Sequence, residues 1–218
     1  MLSQYHIEIM LASLGGRFSP RAMSVITHAN INQDRIAGQF GHDEYHFDNN
    51  AFDKSYAYIE EQRAFAISSL RSGNADAAWQ AFGRLLHTAQ DFYAHSNYIT
   101  LWLSRFDPST GLGHAAPPPP PEVDPMDPSL IHSPDLRSGK VYYPFELLYF
   151  VRQLRPLALR ILPRDSHAWM NLDSPAQGFK FDYAIQAAVK RTVIEFEITT
   201  QGFSEEMRRL FLDGQAGG

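Results

Sequence analysis

Apolar residues return along this chain at helical spacing, three or four apart, and I-V-T-rich alternation typical of strands is absent. Gln4–Leu14 reads as a short helix ended by Gly15-Gly16. Ser19-Pro20 supplies an N-cap followed by proline at the first helical position, opening a second helix to about Ala37. After the polar stretch Gly38–Asn50, Asn50 can cap a third helix to Arg71, which Ser72-Gly73 ends. Asn74 or Asp76 begins a fourth and longer helix, Ala75–Ser104, with Trp79, Phe82, Leu85, Ala89, Phe92 and Tyr93 in helical register.

The pattern then breaks. Asp107–Val141 holds Gly111, Gly113, a run of proline from Pro117 to Pro121, and Pro125, Pro128 and Pro134. Such a segment is expected to be a long loop, extended in its polyproline part. Helical spacing resumes at Pro144, with a fifth helix to about Leu162 kinked near Pro156. Ser174-Pro175 repeats the cap-plus-proline signal and opens a sixth helix to about Phe211. The expectation is one all-α domain over residues 1–218, a multi-helix bundle with one long Pro-rich loop.

Composition narrows the chemistry. The 218 residues are 44% hydrophobic and 20% charged, ordinary for a globular domain. The net charge of −5, with Lys and Arg dispersed, gives no basic patch for nucleic acid. No apolar run approaches the ~20 residues of a membrane-spanning helix. The opening MLSQYHIEIM has no basic n-region and no apolar h-region. As it stands the sequence reads as cytoplasmic, or as secreted if a leader has been removed. Cysteine is absent, so thiolate nucleophiles, disulfides and sulfur-ligated metals are excluded. Any metal must be held by His, Asp, Glu, backbone or water.

The segment LLHTAQDFYAHSNY carries the strongest chemical signal. His87, Asp91 and His95 are spaced i, i+4, i+8, within about 80° of one another on one helix face, with ~6 Å of rise per step. A solvated face is rich in Lys and Glu, yet Leu85–Leu103 contains no Lys, Arg or Glu and Asp91 is its one formal charge. The helix is therefore expected to be buried. A buried carboxylate between two histidines requires a partner. A cation satisfies that requirement, and so does hydrogen bonding among the three side chains.

Other clusters echo this one. His28, Asn30 and Asp34 lie in ITHANINQD; His42, Glu44, His46 and Asp48 lie in HDEYHFDN; His167, Asn171 and Asp173 lie in HAWMNLDS. His6 is a further candidate on the first helix. Helix bundles assemble metal sites from side chains on facing helices. His87, Asp91 and His95 are expected to converge with His46 and Asp34.

HTAQDFYAHSNY resembles the signature of the Het-C family, a relative of the zinc-dependent phospholipase C and P1 nuclease group. QYHIEIMLASL, ITHANINQD, EYHFDN, MNLDS and FDYAIQAAVKRTVIEF fall in that family's order. The resemblance implies a helical fold of the phospholipase C/P1 nuclease type holding one to three zinc ions. By position it assigns His6, Asp34, His46, His87, Asp91 and His95 as metal ligands. The family's late His-x-x-x-Glu pair has no counterpart here. The implied activity is hydrolysis of a phosphodiester by metal-activated water, with Asp34 or Asp91 orienting or deprotonating that water. A phospholipid head group is the expected substrate, and the acidic balance of the chain disfavours nucleic acid. The loop flanks Trp102, Leu103, Phe106 and Tyr142–Phe145 suit peripheral contact with a membrane. The alternatives are a P1-type nuclease and a non-catalytic, metal-stabilised interaction module.

Overall fold

A computed structural model describes residues 1–35, 38, 41–106 and 116–214. The described residues are all-α: they contain no strand and only two isolated bridges, Ser96 with Ser138 and Lys140 with Ser166. The helices are α1 (Ser3–Leu14), α2 (Pro20–Ile31), α3 (Asp43–His46), α4 (Phe52–Arg71), α5 (Ala75–His95), α6 (Tyr98–Ser104), α7 (Pro128–Ile131), α8 (Leu147–Phe150), α9 (Arg155–Ile161), α10 (His167–Met170), α11 (Lys180–Thr200) and α12 (Glu205–Asp213).

Helix α5 is the axis of the bundle. Asn74 caps it by accepting from Ala77 N at 3.1 Å. It packs against α2, α4 and α11, and from Leu85 to His95 every residue is buried. This is what the missing Lys and Glu on that stretch require. The closest approach to α2 is at Gly83, where a Cβ would stand 2.3 Å from Ile26 O and 2.9 Å from Ala29 Cβ. With hydrogen in that place the two helices meet backbone to backbone, and Asn30 of α2 comes within reach of Gln90. On the other side, buried Glu195 of α11 is paired with Arg63 of α4 and, at 2.6 Å, with Arg191 Nε. This ion cluster joins the two helices that flank α5.

Several boundaries differ from the sequence expectation. Helix α2 ends at Ile31 and a tight turn, Asn32–Asp34, follows, so Asp34 leaves the helix axis before Ala37. Residues 36, 37, 39 and 40 lie outside the described residues. The polar stretch after Gly38 contains one helical turn, α3, which ends on Phe47 at φ 58°. Asn50 does not cap α4: it sits at φ 57°, and its amide oxygen accepts from Ser138 N at 2.8 Å. The fourth helix stops at His95 rather than Ser104. Ser96 becomes extended, its hydroxyl turned back to Phe92 O, and Asn97 N donates to Arg137 O at 2.9 Å before α6 begins.

The expected fifth helix is two short ones, α8 and α9. Pro156 has no N–H for the preceding turn and restricts Arg155, so Val151–Leu154 turns instead of continuing. The expected sixth helix is also divided. Ser174-Pro175 starts only the turn Pro175–Gln177, which Gly178 ends at φ 90°. Helix α11 then runs from Lys180, and Gln201-Gly202 separates it from α12, capped by Ser204. In the Pro-rich segment, residues 107–115 lie outside the described residues, and 116–141 is irregular apart from Pro120–Glu122 and α7. This segment lies on the bundle through carbonyls: Pro118 O accepts from Tyr183, Pro125 O from Tyr93, and Asp124 O from Tyr98. Among the described residues no helix is long and apolar enough to cross a membrane.

Replacing Glu195 with Gln leaves two buried guanidiniums sharing a neutral partner. Urea unfolding is expected to show a loss of about 3–5 kcal/mol, the cost of breaking a buried ion pair from one side. An unchanged denaturation midpoint would show that the cluster does not hold α4 to α11.

Candidate metal centre

Asp91 is fully buried in the last turns of α5, and histidines from three elements surround its carboxylate. Oδ1 lies 3.2 Å from His6 Nε2 of α1. Oδ2 lies 3.0 Å from His46 Nδ1 of α3 and 3.1 Å from His87 Nε2 one turn back on α5. His87 Nε2 is also 3.6 Å from Asp34 Oδ1 and 3.1 Å from His46 Nδ1. His95 Nδ1 is 4.0 Å from Oδ2. Of the six residues that the sequence nominates, His6, Asp34, His46, His87 and Asp91 gather here, while His95 stands at the edge and groups with Asp48 and His167. The ligand atoms of His6, Asp34, His87 and Asp91 lie within 4.8 Å of one another.

The imidazole protons can be placed by following the hydrogen bonds outward. Thr192 donates its hydroxyl to Ala188 O at 2.8 Å, so its oxygen accepts from Gln90 Nε2 at 3.0 Å. Gln90 Oε1 must then face Asn30 Nδ2, at 3.2 Å, and His6 Nδ1, at 2.7 Å. An amide oxygen only accepts, so His6 carries its proton on Nδ1. In the neutral ring Nε2 is then a bare lone pair. It is buried, has no hydrogen-bond partner, and faces Asp91 Oδ1. Two lone pairs opposed at that distance repel unless a cation lies between them.

His46 and His95 are each tied on both ring nitrogens. His46 Nε2 faces the carbonyl of Gly38 at 3.3 Å and Nδ1 faces Asp91 Oδ2 at 3.0 Å, so both nitrogens meet acceptors. His95 Nδ1 donates to His46 O at 2.8 Å, which leaves Nε2 to accept from the Met1 ammonium at 3.2 Å. Outer partners that fix the tautomer and aim the ring are characteristic of metal-ligating histidines.

Burial opposes a charge on His46, but its hydrogen bond to Asp91 and the charges of Asp91, Asp48 and Asp34 raise its pKa above the ordinary value. Burial works against ionisation of Asp91, yet the N-terminal ammonium and the neighbouring His95, His87 and His6 hold its carboxyl well below the usual range. Burial pushes His87 down to about 4, against the pull of Asp91 and Asp34, so it is a neutral imidazole at pH 7. The Met1 ammonium lies 2.7 Å from Asp91 Oδ1 and 3.2 Å from Asp173 Oδ1. Burial opposes its charge, but Asp173, Asp91 and Asp34 raise it to about 11.

A second group, Asp48, His95 and His167, adjoins the first. Here His167 turns both ring nitrogens toward carboxylates, Nδ1 to Asp48 at 3.1 Å and Nε2 to Asp173 at 3.6 Å. An imidazolium satisfies that arrangement. Although burial opposes its charge, Asp48 and Asp173 hold its pKa well above the ordinary value. This group is complete as an ion cluster, whereas beside Asp91 the buried His6 Nε2 has no hydrogen-bond partner.

The sequence brought Asp48, His167 and Asp173 into view only as members of weak clusters; the structure places all three beside the centre. Asn171 is not at the centre: its amide donates to His167 O and Ala168 O and shapes the loop. His28 stays on α2, and His42 pairs with Glu44 at 3.0 Å and stacks on Tyr45, both facing a separate pocket. Gln90 went unnoticed, because a buried glutamine shows no role until its partners His6 and Thr192 are known. The end of the Pro-rich segment reaches the centre, since Gly139 N donates to His95 O at 3.0 Å. A pocket of about 460 Å³ opens onto Asp34, His46, Asp48, His95, His167 and Asp173, with Tyr143, Leu147 and Phe150 at its rim.

The tautomers can be read directly. In a long-range proton–nitrogen NMR spectrum, His6 is expected to show its proton on Nδ1. A proton on Nε2 would mean that this ring donates to Asp91 and needs no cation.

Comparison with known proteins corrects the resemblance read from the sequence. The profile of the VWA7 N-terminal domain matches residues 6–115. A rat protein, von Willebrand factor A domain-containing protein 7, is 30% identical over 98 residues, which are 43% of this chain and 11% of that protein. The chain thus spans about a tenth of the relative's length. No solved structure matches. The Het-C assignment is overturned by these matches, and with it the expected phosphodiester hydrolase of phospholipase C or nuclease type, since neither match names such an enzyme. The HxxxDxxxH spacing is what a helix needs to aim three ligands at one point, and a spacing set by helix geometry does not distinguish one family from another. The matched stretch includes His6, Asp34, His46, His87, Asp91 and His95 and covers half of the chain, which belongs to the VWA7 N-terminal domain family.

Proposed function

We propose that this domain is a metal-organised, non-catalytic helical module, in which zinc ions held around Asp91 fasten the N-terminal helix and the α2–α3 region to the central helix. The observation that carries the reading is the buried lone pair of His6 Nε2, fixed by the Gln90 chain and opposed to Asp91 Oδ1. His46, His87 and Asp34 present further nitrogen and oxygen donors around the other carboxylate oxygen. A donor set of imidazole and carboxylate without sulfur suits zinc.

A structural role accords with where the ligands come from. His6, Asp34, His46 and the α5 pair are far apart in sequence, and α1 makes few other polar contacts with α5. A cation bound by the folded chain and not by the unfolded one adds its binding free energy to stability. Bound zinc would also offset the repulsion between Asp91 and Asp34, two carboxylates that both face His87.

Purified protein dialysed against zinc and then metal-free buffer is expected to retain at least one ion per chain by elemental analysis. Chelator should lower the melting temperature of the wild type, and Asp91→Asn should both lose the ion and abolish the chelator effect. A wild type that holds no divalent metal, with a melting temperature indifferent to chelator, would defeat the proposal.

A further inference from the structure

The segment that closes the pocket rim has a surface unlike the rest of the molecule. Among the described residues, eight of the thirteen large hydrophobic side chains that stand exposed fall between Tyr143 and Ile161. Phe145 is 56% exposed, Phe150 51%, and Leu157 and Ile161 49% each. Leu154, Leu157 and Ile161 are spaced to form one outward stripe along α9, while Ala158 and Leu162 are buried on its inner side. A surface helix normally turns a charged face outward. This one is apolar on both sides, and contiguous exposed apolar surface of this kind marks an interaction site.

The charges interleaved with the patch are of one sign. From Val141 to Arg164 the chain has four arginines and one acid, Glu146, in a protein whose net charge is −5. Glu146 is buried and accepts from Ala168 N at 2.6 Å. Arg155 lies over the Tyr149 ring and Arg164 over Trp169. Arg152 and Arg160 are exposed and form no ion pair among the described residues.

We infer that this α8–α9 surface docks on an anionic lipid bilayer, with Phe145, Phe150, Leu154 and Leu157 entering the headgroup boundary and the arginines reaching lipid phosphates. The interface of a bilayer accepts both parts at once: apolar side chains pass the headgroups, and long cationic ones remain at their level. Acidic lipids attract such cations, about fivefold in partition for each Arg or Lys near the surface. A second copy of this chain is the poorer occupant, because a two-fold contact would set arginine-bearing surfaces against each other. The inference does not rest on the metal centre.

Co-sedimentation of the full 218-residue chain with vesicles tests it. Vesicles of phosphatidylcholine with about 30% phosphatidylserine should bind the protein, pure phosphatidylcholine should bind it far less, and ~0.5 M salt should weaken the binding. Arg152→Gln with Arg160→Gln should lower partition about twentyfold. Phe150→Ser with Leu157→Ser should abolish sedimentation; both variants alter exposed side chains, and circular dichroism confirms that each is folded. Failure of the wild type to bind anionic vesicles overturns the inference. So does binding that both variants leave unchanged. A dimer in light scattering that the Phe150/Leu157 variant dissociates, with no vesicle binding, would assign the surface to a second copy or another protein.

Discussion

Everything in this domain is arranged around one carboxylate that water does not reach. Transferring an isolated ionised carboxylate into a protein interior costs many kcal/mol unless opposite charge and hydrogen bonds meet it there. Asp91 stands on the innermost face of the innermost helix, and among the described residues no Lys or Arg pairs with it. Its surroundings are instead the N-terminal ammonium and imidazoles, among them His6, which is held by Gln90 with its Nε2 toward the carboxylate. That orientation is the constraint from which the rest follows. It explains why Gln90, Asn30 and Thr192 form a buried amide and hydroxyl chain with no other evident purpose, and why α3 ends in a left-handed turn that keeps His46 over α5.

The bundle supplies the rigidity that such a site requires. Gly83 allows α2 to touch α5, which sets the distance from Asn30 to Gln90 and so the direction of His6. The Arg63–Glu195–Arg191 cluster holds α4 and α11 on either side, and Thr192, which anchors the amide chain, is one turn from Glu195 on α11. Packing and site are thus coupled: a shift of α11 relative to α5 would move the acceptor that fixes the His6 tautomer. The loop around His167 and Asp173 contributes a second layer, an imidazolium held between carboxylates, which closes the side of the centre next to the pocket.

The sequence disclosed the central helix, its burial and the His87-Asp91-His95 stripe because these follow from local rules; that His46 and Asp34 would face the stripe was an expectation, and His6 entered the ligand set only through the resemblance. Periodicity and the absence of Lys, Arg and Glu along Leu85–Leu103 are properties of one segment. The helix breaks at Ser96 and Gln201 were not legible, since each depends on a partner far along the chain or on a turn inside an otherwise helical pattern. Gln90 was missed for a similar reason: a glutamine on a buried face gains meaning only when Thr192 and His6 are seen at its two ends. The family was misread because three ligands at i, i+4, i+8 are a solution that helix geometry offers to any chain.

The central claim is that the donors around Asp91 meet a metal ion. X-ray absorption at the zinc edge of the loaded protein examines those donors directly. The expected spectrum shows imidazole nitrogen and carboxylate oxygen at about 2.0–2.2 Å, with the outer-shell scattering of at least two imidazole rings and no sulfur. Zinc surrounded by oxygen alone, without ring scattering, would contradict the account, because the histidines around Asp91 would then be aimed at something other than a metal.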